Sequence, residues 1–150
     1  MTVAPLVANG VVMTGCSGAE FGARCFVDGW DPNTGKKLWR RYTTAGPGEK
    51  GHDTWEPRET YERGGASTWI SGSYDPELDL AYWGTGNAGP WTSEKRKGDN
   101  LYVASILAIR PKTGEIAWHY QIAPNDVWDW DTWETILGEI SVNGQRRKVG

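Results

Sequence analysis

Asp31-Pro32-Asn33-Thr34-Gly35-Lys36-Lys37-Leu38-Trp39 returns later in the chain as Arg110-Pro111-Lys112-Thr113-Gly114-Glu115-Ile116-Ala117-Trp118, and both copies read x-P-x-T-G-x-x-x-W. Proline fixes one turn residue, glycine takes the positive φ, and the tryptophan returns on a second strand as a packing anchor, so each copy reads as a hairpin. An apolar strand-like run precedes each copy, Cys25 to Trp30 and Tyr102 to Ile109. Another follows, Trp39 to Tyr42 and Trp118 to Gln121. Two further strands are expected over Thr68 to Ser73 and Asp79 to Trp83, joined by Tyr74-Asp75-Pro76-Glu77, and Leu6 to Met13 reads as a hairpin around Asn9-Gly10. Units of about four short strands ending in such a turn are the pattern of a propeller blade.

The expected fold is therefore all-β, a partial β-propeller of about two blades plus the start of a third. The copies begin at Asp31 and Arg110, further apart than the roughly 40 to 50 residues of an ordinary blade. The surplus falls in Thr43 to Gly65, a polar stretch read as a long loop over one face, where binding residues collect. A second long loop, Gly84 to Asn100, follows the strand ending at Trp83. The expected organisation is a blade over about 1–44, a loop over about 43–65, a blade over about 66–123, and a loop with the start of the next blade over about 124–150. Two blades and a fragment leave unpaired edges. The 150 residues are thus expected to be a slice of a larger ring and inactive by themselves.

Ten tryptophans and twenty glycines fit many short strands with tight turns and large flat anchors. A formal charge of -3 excludes a strongly basic nucleic-acid surface. No tract of roughly 18 apolar residues is present, and residues 1–15 carry neither a basic n-region nor an A-x-A cleavage site. Cys16 and Cys25 fit no zinc spacing, and no CxxCH is present to hold a haem. They can pair across a hairpin or sit reduced and buried; the reading leans to the second. His52 and His119 are read as surface or packing residues, since nothing pairs them with a nucleophile. Ser93-Glu94-Lys95-Arg96-Lys97 reads as a solvated loop tip.

Trp128-Asp129-Trp130-Asp131 carries the chemistry. In an extended segment positions i and i+2 share a side, which would set the two carboxylates roughly 6 to 7 Å apart. Like charges that close resist joint ionisation, and a bound cation would remove the penalty. The bland equivalent is a pair of solvated turn acids.

The T-G-x-x-x-W turns resemble the tryptophan-docking repeats of the pyrroloquinoline quinone (PQQ) dependent alcohol dehydrogenases, a family of eight-bladed propellers with the cofactor at the centre. Three further segments add to the resemblance: Gly15-Cys16-Ser17-Gly18-Ala19-Glu20-Phe21-Gly22, Trp83-Gly84-Thr85-Gly86-Asn87-Ala88-Gly89-Pro90-Trp91 and Asn125-Asp126-Val127-Trp128-Asp129-Trp130-Asp131. They are similar, in the family's order, to its metal Glu, metal Asn and catalytic Asp segments. The resemblance implies Glu20 and Asn87 as metal ligands and Asp129 as catalytic base and a further metal ligand. It implies Trp69 as the indole under the quinone ring, and Thr2, Ser17, Gly18, Ala19 and Ser67 as holders of the cofactor's carboxylates.

Asp131 stands where the lanthanide-dependent methanol dehydrogenases have aspartate and the calcium-dependent ones a small residue. The implied metal is a lanthanide, with Ca2+ as the alternative, and Asp131 an added ligand. The resemblance further implies a small primary alcohol as substrate, a c-type cytochrome as electron acceptor, a periplasmic location and a possible homodimer. Many relatives have His-Asp where this chain has Asn125-Asp126. A non-catalytic propeller scaffold, or a carbohydrate-binding module rich in tryptophan, would share the turns without needing Glu20, Asn87 and Asp129 to converge.

Overall fold

The structure is a computed structural model that describes residues 3–92 and 94–150. Two four-stranded antiparallel meanders make up most of it. The first runs β1 (Leu6–Ala8), β2 (Val11–Thr14), β3 (Phe26–Trp30) and β4 (Lys37–Tyr42); the second runs β5 (Ser73–Asp75), β6 (Leu80–Gly84), β7 (Ser105–Ile109) and β8 (Ile116–Gln121). In each sheet the strand order is the chain order, as in a propeller blade. A hairpin of β9 (Gly138–Val142) and β10 (Gln145–Val149) follows. The fold is thus an all-β partial propeller.

Side-chain alternation explains how the two sheets pack. Val11, Met13 and Val27 of the first sheet meet Ala81, Trp83, Leu107 and Ile109 of the second in one core. The repeated turn is the clasp between them. Gly35 and Gly114 take φ of 67° and 71°, as the turns require. The Trp39 indole lies between Gly29 and Gly114, where any Cβ would strike the ring, and its Nε1–H donates to Pro111 O at 2.9 Å. Arg41 Nε donates to Gly114 O at 2.7 Å. The tryptophan of one blade therefore docks on the Pro-x-Thr-Gly turn of the next. Trp118 holds the matching position in the second sheet, packs on Tyr82 and keeps its outer face exposed.

Within the first sheet, Arg40 forks onto the buried Asp28 through two bonds of 2.7 Å. The Arg40 guanidinium also lies 3.4 Å over the Phe26 ring, so the pair braces β3 against β4. Lys148 of β10 bonds both carboxylate oxygens of Asp75 at 2.8 and 2.7 Å, fastening the last hairpin to β5.

Several local expectations are corrected. Thr68 to Ser73 is not a strand; the pairing begins at Ser73. Thr43 to Gly65 is not a simple polar loop. It contains 3-10 turns at His52–Thr54 and Arg58–Arg63 around Trp55, which is fully buried and donates Nε1–H to Leu101 O at 2.7 Å. Cys16 and Cys25 form a disulfide instead of sitting reduced. Their backbones are stitched to one segment, with Thr68 N–H on Cys16 O at 2.8 Å and Cys25 N–H on Gly65 O at 3.2 Å, and this draws the thiols together. His52 packs edge-on to Tyr61, and His119 to Tyr102.

Candidate active site

Four segments, far apart in sequence, lie side by side because their backbones bond in series. Thr68 N–H donates to Cys16 O at 2.8 Å, Gly86 N–H to Ser67 O at 2.7 Å, and Thr132 N–H to Thr85 O at 3.2 Å. Short-range contacts of this kind need residues without Cβ. A side chain at Gly15 would strike Thr68 O, one at Gly84 would strike Thr132 O, and one at Gly86 would strike Asp131 and Ser67. The glycines of the Gly15 and Gly84-Thr85-Gly86 segments are therefore what bring the chemistry together.

The result is a cleft of about 470 Å³ lined by Ser17, Gly18, Glu20, Phe21, Ser67, Trp69, Asp129 and Asp131. Glu20 sits in a short 3-10 turn, Ala19–Phe21, entered from Gly18 at φ 102° and left through Gly22 at φ 68°. The disulfide closes this loop at its base. Trp69 keeps 36% of its surface exposed and meets Trp133 edge-on at 5.8 Å, which fixes the plane of its indole.

Asn87 is buried beside the cleft. Its backbone N–H donates to Asp131 Oδ1 at 3.3 Å, and its side-chain Nδ2 donates to Ala88 O at 3.2 Å. Ala19 is buried and its methyl faces Gly65, so only its backbone could serve a ligand. Thr2 lies outside the described residues.

The two aspartates share the cleft, but not by the expected route. The segment is not extended: Asp129 adopts a left-handed φ of 62°, between Trp128 and Trp130, whose N–H groups both donate to the Asp126 carboxylate at 3.0 and 3.1 Å. That turn leaves Asp129 exposed and Asp131 half-buried. Burial pushes the Asp131 carboxyl above the usual carboxylate range; the Trp69 indole and the Asn87 N–H oppose this, and the charges of Asp129 and Glu20 add to it.

A cleft lined by the carboxylates of Glu20, Asp129 and Asp131, with the Trp69 indole beside Asp131, has oxygen donors suited to a hard cation next to a flat ring. Among the described residues, no three carboxylate, imidazole or thiolate side chains are close enough to cage an ion unaided. A cation here would need oxygen or nitrogen atoms from a bound partner.

The match to known proteins covers the whole of this arrangement. The PQQ family model, described as glucose/ethanol/alcohol dehydrogenase, beta-propeller domain, matches residues 1–149. The chain belongs to this family. The quinohemoprotein alcohol dehydrogenase ADH IIB of Pseudomonas putida is 47% identical over 163 aligned positions, covering 99% of this chain and 24% of that protein. The lanthanide-dependent methanol dehydrogenase of Methylacidiphilum fumariolicum is 42% identical, covering 97% of this chain and 27% of the relative. A solved europium-containing methanol dehydrogenase superposes with a TM-score of 0.93 at 39% identity, covering 99% of this chain and 29% of that one. The chain thus spans about a quarter of the length of these PQQ-dependent alcohol dehydrogenases, and haem-containing and lanthanide-dependent members are both among its relatives.

Two residues of the site region had escaped notice. Arg96, expected at a solvated loop tip, is fully buried; its guanidinium donates to Pro90 O at 3.0 Å, to Asn100 Oδ1 and to Asp126 O. Asp126 is 2% exposed and caps the turn that carries Asp129. Asn125 takes φ 49°, and its Nδ2 donates to the carbonyls of Arg96 and Gly98 at 3.1 and 2.7 Å. The only sequence signal was the adjacency of Asp126 to the Trp-Asp-Trp-Asp run.

Proposed function

We propose that this chain is the site-bearing part of a PQQ-dependent dehydrogenase that oxidises a small primary alcohol to its aldehyde. The observation that carries the proposal is the single cleft into which Glu20, Ser67, Trp69, Asp129 and Asp131 project from three segments that are stitched together directly or through Thr85 and Gly86. Trp69 offers the face on which a planar ring would lie, and Ser17, Ser67 and the backbone of Gly18 and Ala19 would hold its carboxylates, with Thr2 joining them on resemblance alone. Glu20 and Asn87 would hold the metal together with Asp129 and Asp131. Asn87 Oδ1 is the acceptor end of an amide whose nitrogen donates to Ala88 O.

When bound, the quinone would accept the hydride leaving the alcohol carbon, and with it the two electrons, and its metal would polarise the acceptor carbonyl. Asp129 supplies the other half. Its exposed carboxylate takes the alcohol's hydroxyl proton, and the Asp126-capped turn fixes where that carboxylate points. Asp131 adds a further anionic oxygen, which suits a trivalent lanthanide better than Ca2+. The exposed indoles of Trp128 and Trp133 narrow the approach and favour a small substrate. Electrons would pass to a c-type cytochrome, in the periplasm, with a homodimer as the candidate assembly.

The test uses the full-length protein loaded with quinone and metal. Asp129→Asn should lower alcohol-dependent dye reduction about 10²- to 10⁴-fold, the range of general-base catalysis, while bound-quinone absorbance is kept. Undiminished turnover would remove Asp129 from the chemistry. Asp131→Ala should cut lanthanide-supported turnover far more than cofactor binding, and unchanged lanthanide activity would overturn the rare-earth assignment.

A further inference from the structure

The base proposed above sits on a turn that is built from behind. Asp129 has a left-handed backbone, flanked by two tryptophans that are 80% and 53% exposed, so side-chain packing contributes little to holding it. What holds it is polar. The buried Asp126 carboxylate accepts the N–H of Trp128 on one oxygen and that of Trp130 on the other. Asp126 is held in turn by Arg96, which donates to the Asp126 carbonyl and to Asn100 Oδ1, while Asn125 is tied to the carbonyls of Arg96 and Gly98.

A fully buried arginine is costly to maintain without a function. Burial lowers the Arg96 pKa and the nearby Asp126 charge partly offsets that, while the carbonyls of Pro90 and Asp126 and Asn100 Oδ1 accept the guanidinium's hydrogen bonds. Loop 90–100 and turn 125–131 are thereby locked to one another at the point where the reacting carboxylate is carried.

We propose that Asp126, anchored by Arg96, is the positioning residue that aims the Asp129 carboxylate at the substrate hydroxyl. The inference rests on the reading of Asp129 as the base. Each oxygen of Asp126 serves one amide, so Asp126→Asn keeps one acceptor and loses the other, whereas Asp126→Ala loses both. A misplacement of about 1 Å in a reacting group is enough for roughly a 10²-fold loss of rate.

The experiment uses the full-length, quinone-loaded protein. In the unaltered protein the Trp128 and Trp130 amides should resist hydrogen exchange despite their exposed side chains; exchange at the free-peptide rate would overturn the proposal without any variant. In Asp126→Asn, kcat should fall about 10-fold or more with the KM for alcohol and the quinone occupancy unchanged, and the deuterium isotope effect on kcat should rise as the chemical step becomes limiting. Asp126→Ala should fall further. A quinone occupancy that drops in step with kcat would make Asp126 a structural residue only, and unchanged kcat in both variants would exclude a positioning role. If Asp129→Asn kills turnover while Asp126→Asn does not, only this inference fails; if Asp129→Asn remains active, the reading beneath it fails.

Discussion

Gly86→Ala is the substitution whose effect can be worked most closely from the structure. A Cβ at this position would overlap Asp131 Oδ1 and stand 2.6 Å from Ser67 Oγ. Gly86 cannot retreat, because its N–H donates to Ser67 O at 2.7 Å and its carbonyl accepts the Ala104 N–H at 3.1 Å. The Asp131 carboxylate must therefore move by about 1 Å or more to restore a contact near 3.5 Å. That movement would break its bond from Asn87 N–H, already 3.3 Å long. Overpacking of this kind costs about 1–3 kcal/mol of stability, and the displacement should lower turnover about 10²-fold. Gly138→Ala is the control, since its Cβ would meet nothing within 4 Å and its effect should stay within about 0.5 kcal/mol. Urea unfolding and lanthanide-supported dye reduction of the full-length proteins measure both quantities. A Gly86→Ala protein with normal stability and normal turnover would refute the claim that Asp131 is packed against this backbone.

Replacing both Cys16 and Cys25 by serine opens the loop that carries Ser17, Gly18 and Glu20. For a loop of this length the loss of stability should be about 2.5–3 kcal/mol, with weaker metal retention beside it; urea titration and metal analysis showing neither change would mean that the bridge does not hold the loop. The Lys148–Asp75 clasp should be sensitive to acid. The Lys148 ammonium, with the Leu78 and Glu77 N–H groups, holds the Asp75 carboxyl below its ordinary 3.8, so its share of stability is present above 3.8 and lost as pH falls through the lowered value. Lys148, raised above 10.5 by Asp75 and Glu77, loses its share as pH rises through that higher value. Carboxyl NMR titration of Asp75 should give a midpoint below 3.8, and a midpoint at or above it would contradict the clasp.

The features set by local sequence were readable. Pro-x-Thr-Gly with a following tryptophan, and Asn-Gly between two apolar runs, dictate turns through φ preferences alone, and Gly10, Gly35 and Gly114 take the positive φ expected of them. What the docking tryptophan touches could be anticipated only because the turn repeats, so that Trp39 meets the second copy at Pro111 and Gly114.

The rest depended on partners distant in sequence. Trp55 looks like one more polar-loop aromatic until Leu101 O is brought to its indole. Arg96 stands among charges and looks solvated, yet its buried acceptors include Asp126, thirty residues on. The bond between Cys16 and Cys25 follows from both being pinned to the segment around Gly65 and Thr68. The period-two rule failed at Asp129, because two amide bonds to Asp126 outweigh the extended preference of the run. The two acids still reach one cleft, by a turn instead of a strand.

The convergence of the site is tested most directly by anomalous diffraction from crystals of the full-length protein loaded with quinone and a lanthanide, with data collected at the metal edge. The expected result is one strong peak within bonding distance of Glu20, Asn87, Asp129 and Asp131, alongside the face of Trp69. A peak elsewhere in the ring, or one that leaves Glu20 and Asn87 unliganded, would contradict the assignment of this cleft as the alcohol-oxidising centre.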